Sequence, residues 1–134
     1  MAIFLNDNVL NAALNEVKNN VTEMSLCEGF TSTAAGGALT TFTTDGNGIT
    51  GELANVNMVS GDFTLGDYAG GRQATVAQKS GVSVTANGTG DNVILWNSTT
   101  NIVYAYTGLT VDRAVTTADT VTFNTWNVQV ADPV

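Results

Sequence analysis

Gly81-Val82-Ser83-Val84-Thr85-Ala86-Asn87-Gly88-Thr89-Gly90-Asp91-Asn92-Val93-Ile94-Leu95-Trp96-Asn97-Ser98-Thr99-Thr100-Asn101-Ile102-Val103-Tyr104-Ala105-Tyr106 is the stretch that decides the fold class. Val82, Val84 and Ala86 alternate with Ser83 and Thr85, a period of two that suits a half-buried strand. Residues 87–91 carry turn chemistry. Residues 93–97 and 102–106 are dense apolar runs on either side of Ser98-Thr99-Thr100-Asn101, a spacing that predicts a hairpin with a four-residue loop.

The same period extends outward. Ala54, Val56 and Met58 alternate with Asn55 and Asn57, Phe63 and Leu65 alternate next, and Ala74 and Val76 flank Thr75. Gly66-Asp67 and Gly70-Gly71 read as breaks. Lys79-Ser80-Gly81 reads as a short turn that joins the Val76 and Val82 runs into a hairpin. Residues 21–27 form another strand pattern, with Met24 and Leu26 on one side. Residues 31–51 are rich in Thr, Gly and Ala, and contain Gly36-Gly37 and Asp45-Gly46-Asn47-Gly48. That composition predicts a loop, with glycines free to take positive φ. Toward the end, apolar residues occupy odd positions up to Phe123 and even positions from Trp126, a phase slip that predicts a bulge or a sharp strand bend.

Only the start departs from this period. Val9, Leu10, Ala13, Leu14 and Val17 recur at spacings of three and four, one face of a short helix. Asn6 or Asp7 can cap it, Asn19-Asn20 can end it, and Lys18 suits its C-terminal dipole. Turn signals about every ten residues with β-branched runs between them predict an all-β domain. The expected architecture is a β-sandwich or jelly-roll-like antiparallel body over residues 21–134. An N-terminal arm and short α-helix over residues 1–20 precede it. The chain's 134 residues suit one domain, which buries roughly two-thirds of its unfolded surface.

Composition narrows the function. Charged residues are 12% of the chain, against about 25% in an average soluble domain. The polar surface must therefore come from Thr, Asn, Ser and Gly. Neutral polar faces of this kind are usual on β-rich proteins that pack side by side. The net charge is -8, from twelve acids and four bases. Phosphate backbones and anionic lipid repel such a protein, so no nucleic-acid or membrane partner is expected. The bases Lys18, Arg72, Lys79 and Arg113 are too scattered for a basic patch. No run approaches the ~20 apolar residues that span a bilayer. Met1-Ala2-Ile3-Phe4-Leu5-Asn6-Asp7 has no basic flank and too short an apolar run for a signal peptide, so synthesis in the cytosol is expected.

The chain has no histidine, hence neither the commonest general base nor the commonest zinc ligand. The lone thiol, Cys27, lies in a strand pattern beside Glu28. A neighbouring carboxylate raises a thiol pKa, so a half-buried filler is the expected role and not an activated nucleophile. Asp62, Asp67, Asp91, Asp112 and Asp119 are available for carboxylate-based glycoside cleavage. All but Asp112 neighbour Gly, Thr or Asn, where Asp is favoured, and a turn-forming role is expected for all five. Asp45-Gly46-Asn47-Gly48 lacks the further ligands of a calcium loop. Residues 66–71 lack the Lys and the helix of a P-loop. The sequons at Asn20, Asn87 and Asn97 are matches expected by chance in a chain this rich in Asn and Thr. Trp96, Tyr104, Tyr106, Phe123 and Trp126 could make an aromatic platform for sugars, with Tyr104 and Tyr106 on one strand face. Core or subunit interface is the plainer assignment. No enzyme activity, catalytic residue, cofactor or metal is expected.

Three stretches carry a family resemblance: Asn8-Val9-Leu10-Asn11-Ala12-Ala13-Leu14, then residues 81–91, then Val121-Thr122-Phe123-Asn124-Thr125-Trp126-Asn127-Val128-Gln129-Val130-Ala131-Asp132-Pro133. Their order resembles small virion structural proteins of tailed bacteriophages, of the kind that decorate or cement the head. Residues 31–62 carry little of the resemblance. It implies a β-sandwich or jelly-roll-like body, often a homotrimer, fixed on the capsid exterior with the major capsid protein as partner. It brings no catalytic residues. Such a protein would be made in the bacterial host cytoplasm and would end in the virion. A different virion part that touches host glycans, such as a head fibre, tail or baseplate component, is the alternative. The candidate capsid-docking arm is Ala2, Ile3, Phe4 and Leu5. The same residues could instead cover the base of the sandwich, and burying Ile3, Phe4 and Leu5 contributes on the order of 4 to 8 kcal/mol in either place.

Overall fold

The structure, a computed structural model, describes residues 5–30 and 51–132. Helix α1 (Asp7–Asn20) opens it. Asn6 is the cap: its side-chain oxygen accepts from the Asn8 N–H at 2.9 Å, which satisfies one of the helix's free donors. Leu10, Leu14 and Val17 are buried, whereas Val9 and Ala13 are exposed. The buried stripe is narrower than the predicted face because α1 packs on one side only, against the sheet that contains β3, β4 and β9.

Among the described residues nine antiparallel strands follow: β1 (Glu23–Cys27), β2 (Glu52–Asn57), β3 (Phe63–Tyr68), β4 (Gly71–Val76), β5 (Lys79–Ser83), β6 (Gly88–Asn97), β7 (Ile102–Val115), β8 (Thr120–Phe123) and β9 (Trp126–Ala131). They form a four-stranded sheet β2-β1-β6-β7, a three-stranded sheet β3-β4-β9 and a two-stranded sheet β5-β8. One core joins all three. Met24, Leu26, Val93 and Leu95 from the four-stranded sheet meet Phe63 and Val76 from the three-stranded sheet, together with Val82 and Phe123 from the smallest. The protein is thus an all-β, sandwich-like domain with one short N-terminal helix, as the period of two predicts.

The central strands β1 and β6 of the four-stranded sheet are buried on both faces, which explains the unbroken apolar run of residues 93–96. Its second face carries Cys27, Ile94, Trp96 and Val103, with Phe30 packed against them. Trp96 Nε1–H donates to Ser25 Oγ at 2.9 Å, and Ser25 donates to Glu52 Oε2 at 2.6 Å. Polar groups on this face are thereby paired, as burial requires.

Several local expectations are corrected. Lys79-Ser80-Gly81 makes no hairpin with the preceding strand: β5 pairs with β8, and the register shifts between Lys79 and Val82. Gly81 has φ +67, so it forms a bulge within a strand rather than a turn between strands. Residues 88–91 lie inside β6 and not in a turn. Gly88 and Gly90 are packing glycines, since a Cβ at Gly90 would fall 2.5 Å from Leu26 Cδ1 and one at Gly88 2.7 Å from Leu53 Cδ2. Gly66 and Asp67 lie within β3, and the turn of the β3–β4 hairpin falls at Ala69-Gly70. The slip between Phe123 and Trp126 is a change of sheet, because β8 pairs with β5 while β9 pairs with β4. Tyr104 and Tyr106 do not share a face. A bulge between Leu95 and Trp96 sets Leu95 opposite Ala105 but Trp96 opposite Val103, so Tyr104 turns to the main core. The 98–101 loop is a hairpin turn, as predicted.

Candidate functional site

Of the predicted arm, Leu5 lies within the described residues and is exposed. Ala2, Ile3 and Phe4 lie outside them, as do Asp45-Gly46-Asn47-Gly48 and the rest of residues 31–50. Val9, one turn into α1, is 55% exposed. The apolar character of the arm therefore continues onto the outer surface of the helix.

Strand alternation sorts the three-stranded sheet into two unlike faces. Phe63, Ala74, Val76, Trp126 and Val128 point inward, to the core and α1. Arg72 shares that face, where its Nε–H donates to Asn11 Oδ1 at 2.9 Å and its guanidinium pairs with Asp67. The opposite face presents Thr64, Tyr68, Gln73, Thr75, Asn127 and Gln129, and none of them is charged. Gln129 Nε2 donates to Gln73 Oε1 at 3.1 Å across the strands. This neutral surface is where the chain's scarcity of charge becomes structural.

A cleft of about 640 Å³ lies where the edges of the sheets meet. Its floor is Leu26, Val93 and Phe123. One rim is residues 108–111 of β7 and the other is β8, and Trp126 closes the end. Residues 109–112 bow out from β7 opposite Asp91, because the register jumps from Gly90↔Arg113 to Asn92↔Gly108. Val111 at this rim is 77% exposed. Sequence reading ended this strand at Tyr106 and missed the rim. The alternation of Leu109 and Val111 with Thr110 was the available signal.

Among the described residues, several carboxylates make local hydrogen bonds and ion pairs. Asp62 accepts from the Val59 N–H at 2.9 Å and pairs with Lys79 at 2.8 Å. Partial burial opposes ionisation of Asp62, but the Lys79 ammonium and the Val59 N–H outweigh it and hold the carboxyl below its usual range. Asp119 accepts from the Thr116 N–H at 2.7 Å, closing its own turn. These two are the turn formers that the sequence predicts. Asp67, Asp91 and Asp112 instead lie in strands. Asp91 accepts from the Gly29 N–H at 3.0 Å. Among the described residues no group of three or more His, Cys, Asp or Glu side chains is placed to hold a metal ion. Nor is any described helix long and apolar enough to cross a membrane.

No family model matches the chain, and no curated protein or solved structure matches it. The site must therefore be judged on its own geometry.

Cys27 is fully buried and not half-buried. Burial chiefly, and then Glu52 and Asp91, push its thiol from 9.0 up to about 12. These two acids, not the adjacent Glu28, supply the electrostatic part. An unfolded chain sheds this proton near pH 9 while the folded chain keeps it until about pH 12. The stabilising effect of the neutral thiol is whole below pH 9 and is lost across that window, at up to ~1.4 kcal/mol per pH unit. Between pH 8 and 10.5 the urea midpoint of the native protein is expected to fall further than that of Cys27→Ala. Equal falls would show that the thiol is not buried in the neutral form.

Proposed function

We propose that the chain is a head-decoration protein of a tailed bacteriophage, which binds the outer surface of the shell and stabilises the lattice of the major capsid protein. The observation that carries this proposal is the neutral outer face of β3-β4-β9, a polar surface without charged side chains on a protein of net charge -8. A lattice-bound protein must sit beside its neighbours without charge repulsion, and such a face permits that. The stretches that resemble decoration proteins support it: they supply part of α1, parts of β5 and β6, most of β8 and all of β9. Many copies on a symmetric shell act together, so modest affinity per contact suffices. A homotrimer is the assembly that the resemblance implies, and light scattering on heads and in solution tests it.

Purified protein added to emptied or expanded heads is expected to bind and to raise the temperature at which they rupture. Absence of binding to heads under all conditions would overturn the proposal. Immunolabelling of virions in the electron microscope separates a head location from a tail or baseplate one.

The arm makes a second prediction. Deleting residues 2–5 is expected to weaken binding to heads by at least about tenfold, with the circular dichroism and melting of the body unchanged. If the deletion unfolds the body, these residues cover the sandwich base and the arm assignment fails.

A further inference from the structure

The cleft between β7 and β8 is not used by the function proposed above. Three features of it point to a ligand. The first is backbone supply: β7, β8 and β9 each end their sheets among the described strands. Among the described residues the β5-β8 sheet has two strands, held against the core and by a bridge from Val84 to Ala54, so one more strand would extend it. The free edge of β8 is regular, since the bulge that shifts the β5–β8 register lies on β5. The second is the floor, where Leu26, Val93 and Phe123 offer apolar surface to alternate side chains of an added strand. The third is charge. Among the described residues that line the cleft, Arg113 is the one with an ionisable side chain, although the chain has twelve acids and four bases. Arg113 is exposed and makes no ion pair among the described residues.

We infer that this cleft receives an extended segment of a partner protein. The segment adds as a third strand on the free edge of β8, sets alternate apolar side chains on the Leu26–Val93–Phe123 floor and places a carboxylate beside Arg113. Main-chain hydrogen bonds supply affinity in this mode of recognition and the pockets supply specificity. The commitment to an acidic, apolar segment follows from charge complementarity: a basic segment would meet Arg113, and an uncharged one would leave it unused. The bow at residues 109–112 distorts the edge of β7, which discourages indiscriminate pairing there and directs the added strand to β8.

The test uses the full chain and two capped seven-residue peptides that alternate valine and threonine, one with a central glutamate and one with a central lysine. Titration followed by amide NMR is expected to show the glutamate peptide binding about tenfold more tightly than the lysine peptide. The perturbed amides are expected in β8 and at the rim of β7. Arg113→Gln, at an exposed position, is expected to fold normally and bring the two peptides to similar affinity. Val121→Thr, which keeps side-chain shape, is expected to weaken both. Equal binding of the two peptides by the native protein would overturn the inference, as would no binding or perturbations confined to other strands. Two further outcomes would overturn it in favour of another occupant. One is concentration-dependent self-association, abolished by Val121→Thr, in a protein that ignores both peptides. The other is peptide binding that emerges only after residues 2–5 are deleted, which would assign the cleft to the chain's own arm.

Discussion

Phe63→Ala is expected to lower the unfolding free energy by about 3–5 kcal/mol. Phe63 is 2% exposed and heads β3 directly after the short 3-10 turn Ser60–Asp62. It belongs to the cluster that draws residues from all three sheets. Truncating it removes the aromatic transfer energy and leaves a void that neighbours on separate sheets cannot close together, because each is held by its own strand register. A domain of this size holds only about 5–15 kcal/mol in total, so the urea midpoint at pH 7 should fall by a large fraction with an unchanged slope. A cost under ~1 kcal/mol would mean that the sheets do not share this core. The consequence for function is direct: the neutral outer face and the cleft both depend on how the three-stranded sheet is seated on the rest.

Gly71→Ala is expected to cost roughly 2–4 kcal/mol through a different mechanism. Gly71 has φ +151 and opens β4 opposite Ala131 of β9. A Cβ there would fall far inside van der Waals contact of the Val130 carbonyl oxygen and press on the Ala131 Cα at 3.0 Å. Both are backbone atoms, so no side-chain rotation can relieve the clash, and L residues rarely adopt this φ. The end of the β4–β9 pair must open, including the Asp132 N–H to Gly70 carbonyl bond of 2.9 Å. Gly66→Ala is the control: a Cβ there meets nothing within 4 Å, and the change should be near neutral. If hydrogen exchange in β9 proves the same in Gly71→Ala as in the native protein, the close approach is not a constraint.

The sequence made the strands legible where one face of a strand is buried and the other is wet. Ala54-Asn55-Val56-Asn57 and Phe63-Thr64-Leu65 announce themselves because burial on one side leaves a period of two. The helix was legible from its spacing of three and four and from Asn6 or Asp7 as cap, between which the Asn8 N–H to Asn6 Oδ1 bond decides. What misled was glycine. Gly81, Gly88 and Gly90 look like turn residues by composition, but one makes a bulge and two admit the side chains of Leu53 and Leu26 from other strands. Nothing local distinguishes these uses, because the difference lies in what approaches the glycine from elsewhere in the chain. Tyr104 and Tyr106 misled for a related reason: one extra residue in a ladder turns every later side chain to the other face.

The candidate sites divide in the same way. An apolar arm is a contiguous run, so Ala2-Ile3-Phe4-Leu5 could be singled out from the sequence alone. The cleft could not, since its floor and rims come from β1, β6, β7, β8 and β9. It exists only because β7 and β8 are edges, and being an edge is a property of pairing.

By itself, then, the sequence determined the class of the domain, the helix and its cap, the hairpin at residues 98–101, and the absence of histidine chemistry. Each depends on residue type or on spacing within a few positions, where propensity and hydrophobic period act. Only the tertiary structure decided which strands pair, which face of the three-stranded sheet is neutral and outward, that Cys27 sits beyond solvent near Glu52 and Asp91, and that a cleft with an apolar floor opens beside Arg113. Those features are set by contacts between residues far apart in the chain. Their energies depend on the register that the whole core selects.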